Sequence, residues 1–263
     1  MASQRHFSYG DTRHTHGMDD WYASAIGICA LRAQRTLLRC SLPPRRRAGC
    51  SLLEINCGDG LFLRLLGKCG FDVTATDPNP HQRAAAAAVE PHVEILPASG
   101  DCLPFENDSF DHALLHITVN EVNNLDACLQ EAFRVAKAGL SVTFWNTFSL
   151  PYLQYRLHGA HPPWPDKPCN WWRIWHKLKA LHAGHVCAAG TLACPEGLWH
   201  CDRAAVLCNT LRLCPPLGGW SIIFLDMQPP RPVTPLPLRL EHQCLKQPEP
   251  VLEFEDCGHM HTT

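Results

Sequence analysis

The residues best equipped for chemistry fall in three short stretches of the first half of the chain. Glu54-Ile55-Asn56-Cys57-Gly58-Asp59-Gly60 sets two carboxylates and two glycines within seven positions. Gly58 and Gly60 permit a tight turn and let a ligand approach the backbone with no Cβ in the way. Asp77, followed by Pro78, stands 19 positions after Gly58, close to the spacing at which an acidic residue reaches the hydroxyls of a ribose. One carboxylate can accept from both hydroxyls, and charge-assisted bonds of this kind are the stronger ones. Asp101-Cys102 is the third stretch. Its carboxylate suits the amino group of an adenine, and the Cys102 backbone N–H suits a ring nitrogen.

The same residues speak against a dinucleotide. A pyrophosphate asks for G-x-G-x-x-G at a helix N-terminus, and a pattern started at Gly58 puts Leu63 in the last glycine position. Glu54 and Asp59 would also repel a phosphate. A ligand without phosphate, carrying a cationic amino group and a sulfonium, fits two carboxylates far better.

These residues need elements to hold them. Short apolar runs at Ser51–Ile55, Val73–Thr76, Val93–Leu96, Phe110–His116 and Leu140–Trp145 read as strands. Leu61–Cys69, the alanine block Ala84–Ala88 and Leu125–Ala136 read as helices between them. Short buried strands alternating with amphipathic helices predict an α/β fold, a parallel sheet covered on both faces. In such a sheet a ligand sits beyond the carboxyl ends of the strands, where all three stretches fall. Before this rhythm, Trp21, Tyr22, Ile26, Cys29, Leu37 and Leu38 trace a helix capped by Asp19 or Asp20 and stopped by Pro43 and Pro44. After it, Asn146–Pro168 lacks periodicity, Asn170–Leu181 reads as a helix, and His185–Thr191 and Trp220–Met227 read as strands. Cys194–Pro216 reads as a partly helical insertion. The expected organisation is an N-terminal helical lid over 1–50, a ligand-binding domain over 51–227 with lid and insertion segments at 146–216, and a Pro-rich tail over 228–263.

Composition narrows the partners. A net charge of -2, with Arg45-Arg46-Arg47 the single basic run, argues against nucleic acid, which calls for clustered Lys and Arg. No stretch reaches the roughly 20 apolar residues that span a bilayer, and the polar start is unlike a secretory signal. Fifteen cysteines, an odd number, read as reduced thiols, which implies a cytoplasmic protein. No metal is expected. There is no C-x-x-C, Pro195 and Gly197 interrupt the seven-residue recurrence Cys187, Cys194, Cys201 and Cys208, and Cys257, His259 and His261 lie in the tail.

Residues 51–145 resemble the class I S-adenosylmethionine-dependent methyltransferases, closest to the methyltransferase type 11 group that includes the ubiquinone and menaquinone biosynthesis enzymes. The resemblance rests on Leu53 to Gly60, Thr76-Asp77-Pro78, Asp101-Cys102-Leu103-Pro104-Phe105 with Ser109-Phe110-Asp111, and Glu131-Ala132-Phe133-Arg134-Val135. It implies a Rossmann-like, doubly wound sheet of seven strands, mostly parallel, with the last strand antiparallel beside the fifth. It also implies S-adenosylmethionine as cofactor, S-adenosylhomocysteine as product, and binding by Glu54, Asn56, Cys57, Gly58, Asp59, Gly60, Asp77, Pro78, Asp101 and Cys102. The family's turn has glycine where this chain has Asn56. Asn tolerates the left-handed backbone region, yet its side chain is expected to crowd the methionine end of the cofactor.

His116, Asn120 and Glu121, past the fourth strand, are the candidate catalytic residues. Trp21, Tyr22, Tyr152 and Tyr155, with His158, His161 and Trp164, are the candidate lid. The aromatic loop favours a small, partly apolar methyl acceptor. Two other readings use the same residues: a cofactor-binding sensor or accessory protein without turnover, and a thiol or metalloid methyltransferase.

Overall fold

The computed structural model describes residues 21–42, 49–117, 124–158, 168–199 and 217–228. Its strands are β1 (Cys50–Ile55), β2 (Phe71–Thr76), β3 (Glu94–Leu96), β4 (Phe110–His116), β5 (Ala136–Trp145), β6 (His185–Thr191) and β7 (Trp220–Asp226). Helices α1 (Ala25–Ser41), α2 (Leu63–Lys68), α3 (Pro80–Val89), α4 (Leu125–Val135), α5 (Leu150–Leu157) and α6 (Trp171–Leu181) connect them. The strand order is β3-β2-β1-β4-β5-β7-β6. The first five strands pair in parallel, and β7 runs antiparallel to both β5 and β6. The expected seven-stranded, mostly parallel sheet is therefore present, with β7 beside the fifth strand.

Alternation along the strands builds two cores. Leu53 and Ile55 of β1 join Leu115, Val142 and Ile223 on one face, under α4 and α6. Leu52 joins Leu114, Trp145 and Ile222 on the other, with α1, α2 and α3 contributing. Each fully buried Leu or Ile contributes about 1.5–3 kcal/mol.

Local chemistry sets the helix starts. Asn79 accepts from His81 N ahead of Pro80, whose fixed φ suits the first helical position. Asn170 accepts from Trp172 N and Arg173 N. The first helix begins at Ser24, which accepts from Gly27 N; Asp19 and Asp20 lie outside the described residues. Leu42 is extended, as a residue before proline prefers, and ends that helix. The strand expected at Leu140 starts at Ala136, directly after α4. The stretch from Asn146 contains α5, which periodicity did not predict. The reading of the cysteines as reduced thiols holds for nine of the described ones, and Cys194 is the exception, being disulfide-bonded.

The strand order reverses between β1 and β4, so a crevice opens beyond their carboxyl ends.

Candidate active site at the switch point

Beyond β1 the backbone turns through Asn56 at φ 61°, Gly58 at φ 54° and Gly60 at φ 77°. Asn is one of the few non-glycine residues that visit this region readily. Gly60 is needed twice over, because a Cβ there would lie 3.1 Å from the Ala86 Cβ of α3. Gly58 has open space, with the nearest atom, Gln82 Nε2, at 3.9 Å, so its requirement is conformational.

Asp77 locks this turn to the end of β2. Its Oδ2 accepts from Gly58 N at 3.0 Å and its Oδ1 from Asn79 N at 2.8 Å. Arg83 Nη1 donates to the carbonyls of Asp77 and Pro78 at 2.8 and 2.9 Å. Burial holds the Asp77 carboxyl above its ordinary value, opposed by the two N–H bonds and by Arg83. Each carboxylate oxygen keeps acceptor capacity beyond these bonds, which is what a pair of vicinal hydroxyls needs.

The third stretch approaches from β3. A Cβ on Gly100 would sit 3.3 Å from Asn56 Nδ2, so the 99–101 loop lies against the turn. Asp101 accepts from Ser99 Oγ at 2.6 Å and from Asn124 Nδ2 at 2.7 Å. The Ser99 bond, more than the Asn124 bond, lowers its carboxyl below the ordinary value against the opposing effect of burial. The Cys102 backbone N–H, expected to face a ring nitrogen, instead donates to Ser99 O at 3.0 Å. A clamp fixes the rest of this loop. Glu131 Oε2 accepts from Leu103 N, and Arg134 donates to Glu131, Leu103 O and Phe105 O.

Glu54 sits differently from the other carboxylates. It is 0% exposed, and its Oε1 lies 2.8 Å from His116 Nε2. His116 Nδ1 lies 2.6 Å from Thr143 Oγ1, so a polar row crosses β1, β4 and β5. Phe62 stacks on the His116 ring at 5.2 Å and on Trp220 at 5.9 Å. Both His116 nitrogens are thus engaged. Asn56 Nδ2 donates to His116 O at 3.0 Å, tying β1 to β4 across the crevice. Glu54 Oε2 and Asn56 Oδ1 are buried with no hydrogen-bond partner among the described residues. Two acceptors left bare at one strand end form a place suited to a cationic donor. Cys57 follows Asn56 directly in sequence, and burial, reinforced by Glu54 and Asp77, pushes its thiol far up, so it stays protonated.

Of the other candidates, Trp21, Tyr22, Tyr152 and Tyr155 gather on the sheet face that carries Trp145 and Trp220. Trp21 meets Trp145 edge-on at 5.8 Å, Tyr22 donates to Gln34 Oε1 at 3.2 Å, and both tyrosines of α5 pack on the same core. Asn120, Glu121, His161, Trp164, Cys257, His259 and His261 lie outside the described residues. Thr143 and Phe62 join the site without having been among the residues expected from the sequence. Thr143 could have been found as a polar side chain in an apolar strand, and Phe62 carries no signal short of the fold.

A family model described as methyltransferase domain matches residues 53–143. A ubiquinone/menaquinone biosynthesis C-methyltransferase of Nitrobacter hamburgensis is 31% identical over 106 residues, 37% of this chain and 42% of that one. A malonyl-[acyl-carrier protein] O-methyltransferase of Erwinia billingiae is 31% identical over 118 residues, 45% of this chain and 46% of that one. The chain thus spans less than half the length of either relative. Among solved structures, a Thermotoga maritima S-adenosylmethionine-dependent methyltransferase, a possible histamine N-methyltransferase, superposes with a TM-score of 0.62 at 18% identity. That superposition covers 82% of this chain and 97% of the other. Residues 53–143 are thus similar to a methyltransferase domain, and they lie in a sheet whose fold is shared with that solved methyltransferase.

Proposed function

We propose that this chain binds S-adenosylmethionine and transfers its methyl group to a small, partly apolar acceptor. The observation that carries the reading is the pair of bare buried acceptors, Glu54 Oε2 and Asn56 Oδ1, next to a turn that Asp77 locks. A cationic amino group satisfies those acceptors, and no phosphate could lie beside that carboxylate. Asp77 and Pro78 would hold the ribose, and Asp101 the adenine amino group. Glu54, Asn56, Cys57, Gly58, Asp59 and Gly60 would line the methionine end.

When bound, the cofactor supplies an electrophilic methyl carbon, and the reaction is an in-line displacement. The chain's own residues have alignment and exclusion of water as their tasks. Trp21, Tyr22, Tyr152 and Tyr155 supply an aromatic wall for an apolar acceptor. His116, with both nitrogens engaged, acts as a positioning residue that fixes Glu54. Glu121 is the candidate base where the acceptor atom must shed a proton, with Asn120 beside it to orient the acceptor. The protonated state of Cys57 speaks against thiolate chemistry at this turn.

The test is incubation of the full chain with methyl-labelled S-adenosylmethionine and a panel of small aromatic and isoprenoid-like acceptors. Label transfer with formation of S-adenosylhomocysteine is expected. Binding without any S-adenosylhomocysteine over the panel would instead mark a sensor or accessory protein and overturn the catalytic reading.

A further inference from the structure

Helix α5 has two apolar sides. Pro151 is buried and Tyr152 and Tyr155 pack inward, while Leu150, Leu153 and Leu157 are 47%, 51% and 76% exposed. Positions i, i+3 and i+7 share a helix face, so these three leucines form one outward stripe. Phe148, 49% exposed, precedes the helix. The start of α6 is tied to the same place, since Thr147 N donates to Cys169 O at 3.0 Å and Cys169 N to Trp145 O at 2.7 Å. Trp172, 46% exposed, stands three residues beyond that tie. Singly exposed leucines are ordinary, but five large apolar side chains on and beside two joined helices are not.

Within these two segments the charge has one sign. Residues 146–158 and 168–181 contain no Asp or Glu, and they contain Arg156, Arg173, Lys177 and Lys179. Lys177 pairs with Asp126, while Arg156, Arg173 and Lys179 are exposed. In a chain whose net charge is -2, this is a local basic region. Exposed Leu, Phe and Trp among Arg and Lys is the composition that seats a helix in the interface of an anionic bilayer. A protein partner chosen by charge would leave the leucine stripe unexplained, and a second copy would set like charges against each other.

We infer that the α5 stripe, with Phe148 and Trp172, is an interfacial docking surface for an anionic lipid bilayer. No described helix is long and apolar enough to cross a membrane, so the contact is peripheral. The surface follows the carboxyl end of β5, on the side of the sheet where the candidate crevice opens. If the methyl-transfer reading holds, docking would bring the crevice to an acceptor dissolved in the bilayer.

Co-sedimentation of the full chain with phosphatidylcholine vesicles, with and without phosphatidylglycerol and with no cofactor present, tests the surface separately from catalysis. The chain should pellet with the phosphatidylglycerol vesicles and be released by salt. L153S together with L157S should weaken the partition about tenfold or more, with an unchanged circular dichroism spectrum. R173E together with K179E should erase the preference for phosphatidylglycerol. The inference is overturned if the parent chain pellets no more with vesicles than alone, or if the leucine variant pellets as well as the parent. It is equally overturned if the leucines govern self-association in sedimentation velocity and vesicles bind nothing.

Discussion

Asn56 is the residue at which this chain departs from the family it resembles, and its geometry turns that departure into measurable quantities. At φ 61° a side chain with a Cβ costs about 1–2 kcal/mol unless, like Asn, it bonds locally. Its amide also supplies the bond to His116 O. N56A should therefore lose about 2 kcal/mol in urea unfolding, combining backbone strain with a lost hydrogen bond. N56G should lose only about 1 kcal/mol, because glycine accepts the conformation. N56G should also shift the dissociation constant for S-adenosylmethionine, because the amide both narrows the crevice and offers Oδ1 as an acceptor, and an unchanged constant would contradict that role. Asp77 gives a pH signature at the same scale. Its folded carboxyl is raised above its ordinary value of 3.8, chiefly by burial. Protons therefore bind the folded chain more tightly than the unfolded one, so this group's contribution to stability declines as pH rises from about 3.8 through the raised value. A ribose diol donates to the ionised form, so affinity should be full above the raised value and fall as pH drops through it. Calorimetry in a series of acidic buffers measures that fall, and D77N should flatten it. The sequence made Asp77 and the turn legible through spacing alone. It could not disclose that Glu54 pairs with His116, because that contact depends on the register between two strands 62 residues apart.

Elements rather than single residues control the loop after β3. The Glu131–Arg134 clamp on α4 holds Leu103 and Phe105 by backbone bonds, and Arg134 is held charged by Glu131. R134M should cost about 1–3 kcal/mol through loss of charge-assisted bonds. It should also speed amide exchange at Leu103 and weaken S-adenosylmethionine binding through Asp101. Exchange that stays slow at Leu103 would show that the loop holds itself. In the polar row, T143V leaves His116 Nδ1 without its partner and should destabilise the chain by about 1–3 kcal/mol. Strands were readable as short apolar runs and most helices as amphipathic stretches between them. Helix α5 was not, because it is only eight residues long and carries apolar residues on both of its sides, which leaves no single stripe to read.

At the scale of the molecule, parity and order do the positioning. Beyond the irregularity between Phe110 and His112, even-numbered residues of β1 and β4 face one core and odd-numbered ones the other, which brings Glu54 and His116 to the same side of the sheet. The reversal between β1 and β4 then opens the crevice where Asp77, Gly58, Asn56 and the 99–101 loop meet. On the function proposed above, this crevice holds S-adenosylmethionine without any phosphate contact. Isothermal titration of S-adenosylmethionine into the full chain and into D77A tests it directly. Saturable heat is expected for the parent, with affinity about tenfold or more weaker for D77A. Absence of heat at two temperatures, or equal affinity for the two chains, would contradict it.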